Sequence, residues 1–185
     1  MKKYNLKNVS LSYKLANSSY LLTGCARSGT SIFGSILGSM ENTEYLFESP
    51  TLLAFFTQIN TIKEKDWMFF FETYLFEEFY INSLAGRIIN TNKNDDSSIY
   101  NFKNSDEIKK RLSKSYSRIE IIKNKNLNKI IFKSPDILVN CQKVLKYYPK
   151  MKLLITKRNT FEIINSLFRK KWFEQKNLDK GVIWP

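Results

Sequence analysis

Three short apolar runs stand between longer segments in which apolar residues recur every three or four positions. The runs are Tyr20-Leu21-Leu22, Lys129-Ile130-Ile131-Phe132 and Met151 to Thr156. Each has the length of a buried strand and is bounded by polar or turn-forming residues, so each predicts a strand. After the first run, Ile32, Phe33, Ile36, Leu37 and Met40 repeat at helical spacing. Residues 51–84, rich in Leu, Phe and Tyr with Glu pairs, predict amphipathic helices. Residues 90–106 are polar and predict a mobile loop, and residues 106–122 a charged helix. Lys133-Ser134-Pro135 closes the second strand, and Asp136 is placed to cap a helix carrying Leu138, Cys141, Leu145 and Tyr148, which Pro149 ends. Thr160, followed by Glu162, opens a last helix with Ile163, Ile164, Leu167 and Phe168 inward.

Strands alternating with helices predict one α/β domain over residues 1–185, a three-layer parallel sheet flanked by helices. In such sheets ligands bind at the carboxyl ends of the strands. Three distinctive segments fall there: Gly24 to Ser31, Lys133 to Pro135, and Arg158. Four of the six glycines, Gly24, Gly29, Gly34 and Gly38, lie within fifteen residues, which marks this stretch as the one with unusual backbone demands.

Composition narrows the chemistry. At 43% hydrophobic and 25% charged residues the chain is neither collagen-like, low-complexity nor wholly disordered. Lysine and arginine outnumber acids by 30 to 17, a net charge of +13, which favours an anionic partner. The excess is spread along the chain, as in Lys123-Asn124-Lys125-Asn126, where a coding bias toward Lys, Asn and Ile produces the same count. A nucleic-acid binder groups its cations with exposed aromatics on one face, so nucleic acid is not expected. There is no histidine, which removes the commonest general base and zinc ligand. Cys25 and Cys141 make no disulfide framework, in keeping with a reduced, cytoplasmic setting. Leu22-Thr23-Gly24-Cys25 has the form of a lipoprotein cleavage box, but Lys14, Asn17, Ser18 and Ser19 interrupt the apolar stretch a signal needs. No run approaches a membrane span.

Residues 24–31 read Gly-Cys-Ala-Arg-Ser-Gly-Thr-Ser. Against the triphosphate-binding pattern G-x-x-x-x-G-K-[ST], both glycines and the last serine are kept, and Thr30 replaces the lysine. A P-loop-like cradle of backbone N–H groups at a helix start therefore remains, while the cation for β- and γ-phosphates is gone. The later strands end in Lys133 and Arg158, which suit anions. The expected ligand carries phosphate without a triphosphate, and no metal is expected. A phosphate-loop kinase, the first alternative, would need magnesium ligands and the loop lysine.

The same octapeptide resembles the 5′-phosphosulfate loop, G-x-P-[RK]-S-G-T-[ST], of sulfotransferases that use 3′-phosphoadenosine 5′-phosphosulfate (PAPS); Ala26 stands where that loop has proline. A second block, from Tyr148-Pro149 through Leu153-Leu154-Ile155 to Arg158-Asn159-Thr160 and Ser166, resembles the family's 3′-phosphate site, in which an Arg ends a strand and a Ser follows eight residues on. Asn159-Thr160 replaces the frequent Asp-Pro, and Thr160 is expected to cap the helix. The resemblance implies PAPS as sulfate donor and a hydroxyl or amine acceptor, carbohydrate or another small molecule. It gives Arg27 to the 5′-phosphate and the transferring group, with Ser28, Gly29, Thr30 and Ser31 supplying N–H groups and hydroxyls. It gives Arg158 and Ser166 to the 3′-phosphate, and Lys133 to the reaction centre. Cytosolic members place a histidine base two residues after the strand lysine, where this chain has Pro135. Protein-tyrosine and several carbohydrate sulfotransferases use a glutamate after the first helix, which here is Glu48, with Glu44 and Glu41 as runners-up. Family members continue past the 3′-phosphate helix with a basic glycine-containing loop, whereas this sequence stops at Trp184-Pro185, so a C-terminally short domain is expected, with an inactive binding protein as the second alternative.

Overall fold

A computed structural model of the chain describes residues 6–113, 116–123, 129–135, 137–175 and 179. The three apolar runs become β1 (Tyr20–Gly24), β3 (Lys129–Lys133) and β4 (Lys152–Thr156). A further strand, β2 (Thr43–Phe47), lies where the sequence was not read as a strand. All pairings are parallel, in the order β2-β3-β1-β4, so the protein is α/β with a four-stranded parallel sheet flanked by helices.

The helices are α1 (Leu6–Asn17), α2 (Thr30–Gly38), α3 (Pro50–Thr57), α4 (Glu64–Thr73), α5 (Asn82–Leu84), α6 (Ser105–Ser113), α7 (Arg118–Lys123), α8 (Leu138–Tyr147) and α9 (Thr160–Arg169). A π-helical stretch, Tyr74–Ile81, joins α4 to α5. The crossover from β1 to β2 carries α2, and that from β3 to β4 carries α8. The two run in opposite directions along the sheet, and right-handed crossovers then place α2 and α8 on opposite faces. The chain reverses direction between β1 and β3, which makes their carboxyl ends the crevice where α/β sheets bind ligands.

One face is an aromatic core. Phe132 of β3 packs on Phe56 of α3 and Phe71 of α4, with ring centroids 6.2 and 5.8 Å away, and Trp67 stacks on Phe71 at 4.8 Å. Alternation along a strand sends the next residue, Lys133, to the other face with α2. On that face α2 is packed through its smallest residues. Gly34 and Gly38 are buried against Tyr45 of β2, while Ile32, Ile36 and Met40 are 73%, 57% and 55% exposed. The helical spacing is there, but the apolar stripe looks outward.

Other expectations change as well. The polar run 90–106 is tied down: Ser98 and Ile99 are buried, Asn90 donates to Ser97 Oγ at 2.7 Å, and the Lys103 ammonium donates to the Thr43 carbonyl at 2.8 Å. The single charged helix expected over residues 106–122 is replaced by α6 and α7. Asn159, not Thr160, caps α9, accepting from the Phe161 amide at 2.9 Å. In α9 only Ile163 is buried, and Ile164 and Phe168 are exposed. Asp136 lies outside the described residues. Among the described residues no helix is long and apolar enough to cross a membrane.

The glycine face of α2 sets a stability test. A Cβ on Gly34 would lie 2.1 Å from the Tyr45 hydroxyl and 2.4 Å from the ring carbon bearing it. Gly34→Ala should cost about 1–3 kcal/mol through overpacking. Thermal denaturation should therefore show a melting point lower by roughly 2–10 °C. Ser35→Ala, away from that contact, should fall within about 0.5 kcal/mol of wild type. An unchanged melting point for Gly34→Ala would contradict the tight α2–β2 packing.

Candidate functional site

β1 ends in a loop pressed against β4. A Cβ on Gly24 would sit 2.4 Å from Thr156 Oγ1 and 2.7 Å from the Thr156 carbonyl oxygen, so glycine is needed for this approach. Ser28 fastens the loop from the other side: its hydroxyl lies 2.6 Å from Thr156 Oγ1, and its amide donates to the Cys25 carbonyl at 3.1 Å. Arg27 and Gly29 both take left-handed backbone, with φ of 66° and 98°. Gly29 caps α2, and the first hydrogen bond within the helix runs from the Phe33 amide to the Gly29 carbonyl at 3.1 Å. The amides of Thr30, Ser31 and Ile32 therefore have no carbonyl one turn back to bond, and they present a positive helix end beside the loop.

Facing that helix end is Lys133. Its side chain is 1% exposed, yet it carries an ammonium group. Lys133 Nζ donates to Ser31 Oγ at 2.6 Å, pairs with Glu48 Oε1 at 2.5 Å and lies 4.1 Å from the centre of the Phe47 ring. Burial lowers its pKa from the ordinary lysine value, against the opposing pull of the Glu48 and Asp96 carboxylates; the Arg27 cation lowers it further. A lysine from β3 thus lies next to the start of α2.

Glu48 follows β2, where its amide donates to the Lys133 carbonyl at 3.1 Å and extends the β2–β3 ladder by one residue. The chain then turns, with φ of 33° at Glu48, into α3, capped by Ser49 with Pro50 at its first position. Glu48, Ser49, Pro50, Leu53, Ser134 and Pro135 line a cavity of about 180 Å³. Pro135 therefore borders the same space as Glu48.

The second predicted cluster forms at the β4 side. Arg27 Nε donates to Ser166 Oγ at 3.0 Å, across 139 residues of sequence. Arg158 Nη1 donates to the Arg27 carbonyl at 3.4 Å, and Arg158 Nε pairs with Glu162 Oε2 at 2.7 Å. Two guanidinium groups and a hydroxyl from three segments thus converge at the carboxyl edge of the sheet.

Of the predicted residues, Ser28, Gly29, Thr30 and Ser31 form the loop and helix start, Lys133 meets Glu48, and Arg27 meets Arg158 and Ser166. The two runners-up are not at this edge's centre. Glu44 projects to the opposite face of the sheet, is 1% exposed, and is held by Arg111 at 2.8 and 2.9 Å and by Ser83 at 2.9 Å. Glu41 is exposed on the approach to β2. Three groups near the site carried no sequence signal. Asp96 lies within electrostatic reach of Lys133. Tyr45 has a buried hydroxyl with no hydrogen-bond partner among the described residues, and burial, with Glu48 and Asp96 adding, pushes its phenol well above the ordinary value. Glu162 neutralises Arg158. Asp96 and Tyr45 depend on long-range placement rather than local pattern, whereas Glu162 reaches Arg158 from four residues along the chain.

No protein-family model, no curated protein and no solved structure matches the chain.

Arg158 cannot give its full charge to an anion while Glu162 holds it. Glu162→Gln should raise affinity for inorganic pyrophosphate roughly two- to fivefold, the scale of one exposed ion pair. Adding Arg158→Ala should erase the gain. Calorimetric titration at low salt reads both, and equal affinities for wild type and Glu162→Gln would show that Arg158 does not face the anion.

Proposed function

We propose that the chain transfers a sulfuryl group from PAPS to a hydroxyl or amine of a carbohydrate or other small acceptor, on a P-loop-like core. The observation that carries this reading is the convergence of Arg27, Ser166 and Arg158, which joins two sequence blocks that resemble the two phosphate sites of PAPS-dependent sulfotransferases. The donor set fits a nucleotide with two separate phosphate positions. The α2 amides, Arg27 and Lys133 suit the 5′-phosphosulfate end, and Arg158 with Ser166 suits a 3′-phosphate.

Sulfuryl transfer is an in-line displacement. A bond forms from the acceptor oxygen or nitrogen to sulfur while the bond from sulfur to the 5′-phosphate oxygen breaks. The electron pair leaves with that oxygen, giving 3′-phosphoadenosine 5′-phosphate, and the acceptor proton goes to a base. Glu48 is the base in this reading. Oε1 holds Lys133, and Oε2 bonds no described residue, so it is open to an acceptor proton. In this reading the buried Lys133 ammonium stabilises the negative charge that develops on the leaving oxygen, in surroundings where charge interactions are weakly screened. Arg27 adds a second cation. Catalysis of this kind is mostly positioning and electrostatic stabilisation.

Two measurements test the reading. If Arg158 and Ser166 hold a 3′-phosphate, 3′-phosphoadenosine 5′-phosphate should bind on the order of tenfold more tightly than AMP. Arg158→Ala should remove most of that preference. Equal affinity for the two nucleotides, or a preference for ATP with magnesium, would sink the assignment and favour a kinase. The second measurement is single-turnover transfer from labelled PAPS by Glu48→Gln. Glutamine keeps an acceptor for Lys133 and removes the base, so nucleotide binding should be near normal and transfer at least about a hundredfold slower. Glu41→Gln should be nearly silent, and Glu44→Gln should lower stability rather than the rate of the folded enzyme. Normal turnover by Glu48→Gln would reject the carboxylate base.

A further inference from the structure

A groove of about 430 Å³ opens directly beside the reaction centre, between α2 and the 92–101 segment. Its lining includes Ser31, Ile32, Ser35, Ile36, Asp96 and Asn101. Ser31 is the residue that accepts from Lys133 Nζ, so the groove reaches the group paired with Glu48. Ser39 and Asn101 also line an adjoining cavity of about 280 Å³, which extends the groove toward Glu107. Along α2, Ser31 to Ser39 spans about 12 Å. The cavity at Glu48 and Pro135, about 180 Å³, is below the size range of small-molecule sites, whereas the α2 groove is within it.

The chemistry of this groove differs from that of the protein around it. Asp96 is its one charged lining residue among those described, in a chain of net charge +13. No described residue hydrogen-bonds or ion-pairs with the Asp96 carboxylate; Asn101 Nδ2 donates instead to the Asp96 carbonyl at 3.1 Å. Ser31, Ser35 and Ser39 offer hydroxyls at one-turn intervals, and Ile32 and Ile36 offer the exposed apolar surface beside them. A polyanion would need free lysines or arginines, and Lys103, which lines the adjoining cavity, is held by the Thr43 carbonyl and Glu107. Hydroxyl-rich rings have polar edges for the serines and Asn101, and apolar faces for the isoleucines.

We propose that the groove between α2 and the 92–101 segment binds the acceptor, and that this acceptor is a saccharide bearing an amine that pairs with Asp96. The proposal rests on the transfer reading for the word acceptor, and its test is independent of the nucleotide.

Three disaccharides are titrated without nucleotide and followed by calorimetry: a glucosamine dimer, its fully N-acetylated form and a dimer containing glucuronate. Wild type should bind the amine-bearing dimer most tightly and the glucuronate dimer least. Asp96→Asn should weaken the amine-bearing dimer roughly fivefold, the scale of one exposed charge pair, and leave the acetylated dimer unchanged. Ser35→Phe should block all three while nucleotide binding survives. Absence of binding by all three, preference for glucuronate, or an equal loss for every dimer in Asp96→Asn would overturn the groove assignment. Failure of 3′-phosphoadenosine 5′-phosphate to bind would instead overturn the transfer reading, and the sugar titration separates the two.

Discussion

An ammonium group that is almost wholly buried has to be given acceptors, and in this fold Lys133 receives them from two other elements. Ser31 comes from the first turn of α2 and Glu48 from the end of β2. Neither can move without leaving the cation short of a partner, and breaking a buried pair costs far more than an exposed one. The β2–β3 register, with Phe47 opposite Lys133, brings Glu48 level with the ammonium. The left-handed backbone at Glu48, unfavourable by about 1–2 kcal/mol for a residue with a side chain, is held by the ladder bond to Lys133 and by the ion pair together. The centre of the candidate site is therefore also a structural joint between strands and helix.

That joint requires α2 to lie close to the sheet, and the glycines make it possible. With Gly34 and Gly38 against Tyr45 there is no room for larger side chains between helix and β2. The close approach brings Ser31 within 2.6 Å of Lys133. It also forces the larger side chains of α2 outward. The apolar stripe that would ordinarily form core instead borders an open groove that reaches Ser31, the partner of Lys133. One packing choice thus shapes both the ammonium's surroundings and the surface beside it.

Much of this was legible in the sequence, for local reasons. Buried parallel strands read as short apolar runs, so β1, β3 and β4 were visible. The glycine-rich loop carries its own backbone logic, which located the helix start. β2 escapes a sequence reading because Thr43-Glu44-Tyr45-Leu46-Phe47 carries a glutamate; the distant Arg111 and Ser83 are among the groups that make that carboxylate tolerable inside. The outward stripe of α2 was illegible for a related reason: helical periodicity reports which residues share a face, not which face is packed. Arg27, Arg158 and Ser166 could be named one by one, yet Glu162 as a competitor for Arg158 follows only from the helical turn that brings it there. The 90–106 segment read as a free loop because its polarity is real, but Lys103 and Ser98 are buried by contacts far away in sequence.

Net charge is a poor guide to what such a site takes. The +13 of the chain invites an anion everywhere, but near the sheet's carboxyl edge the cations are already committed or placed. At that edge Lys133 is bonded to Glu48 and Ser31, and toward the amino end of β2 Lys103 is bonded to the Thr43 carbonyl and Arg111 to Glu44 and Glu107. Among the described residues, the cations facing outward at that edge include Arg27, Lys157 and Arg158, the last of them paired with Glu162, and they lie on the β4 side of the loop. The α2 groove lies on the other side of the same helix start and bears a carboxylate. A single helix end thus separates a region suited to negative groups from one suited to neutral or positive ones. In the transfer proposed above, which joins an anionic donor to an acceptor without negative charge, that separation would hold the two reactants on their own sides, with Ser31, Lys133 and Glu48 between them.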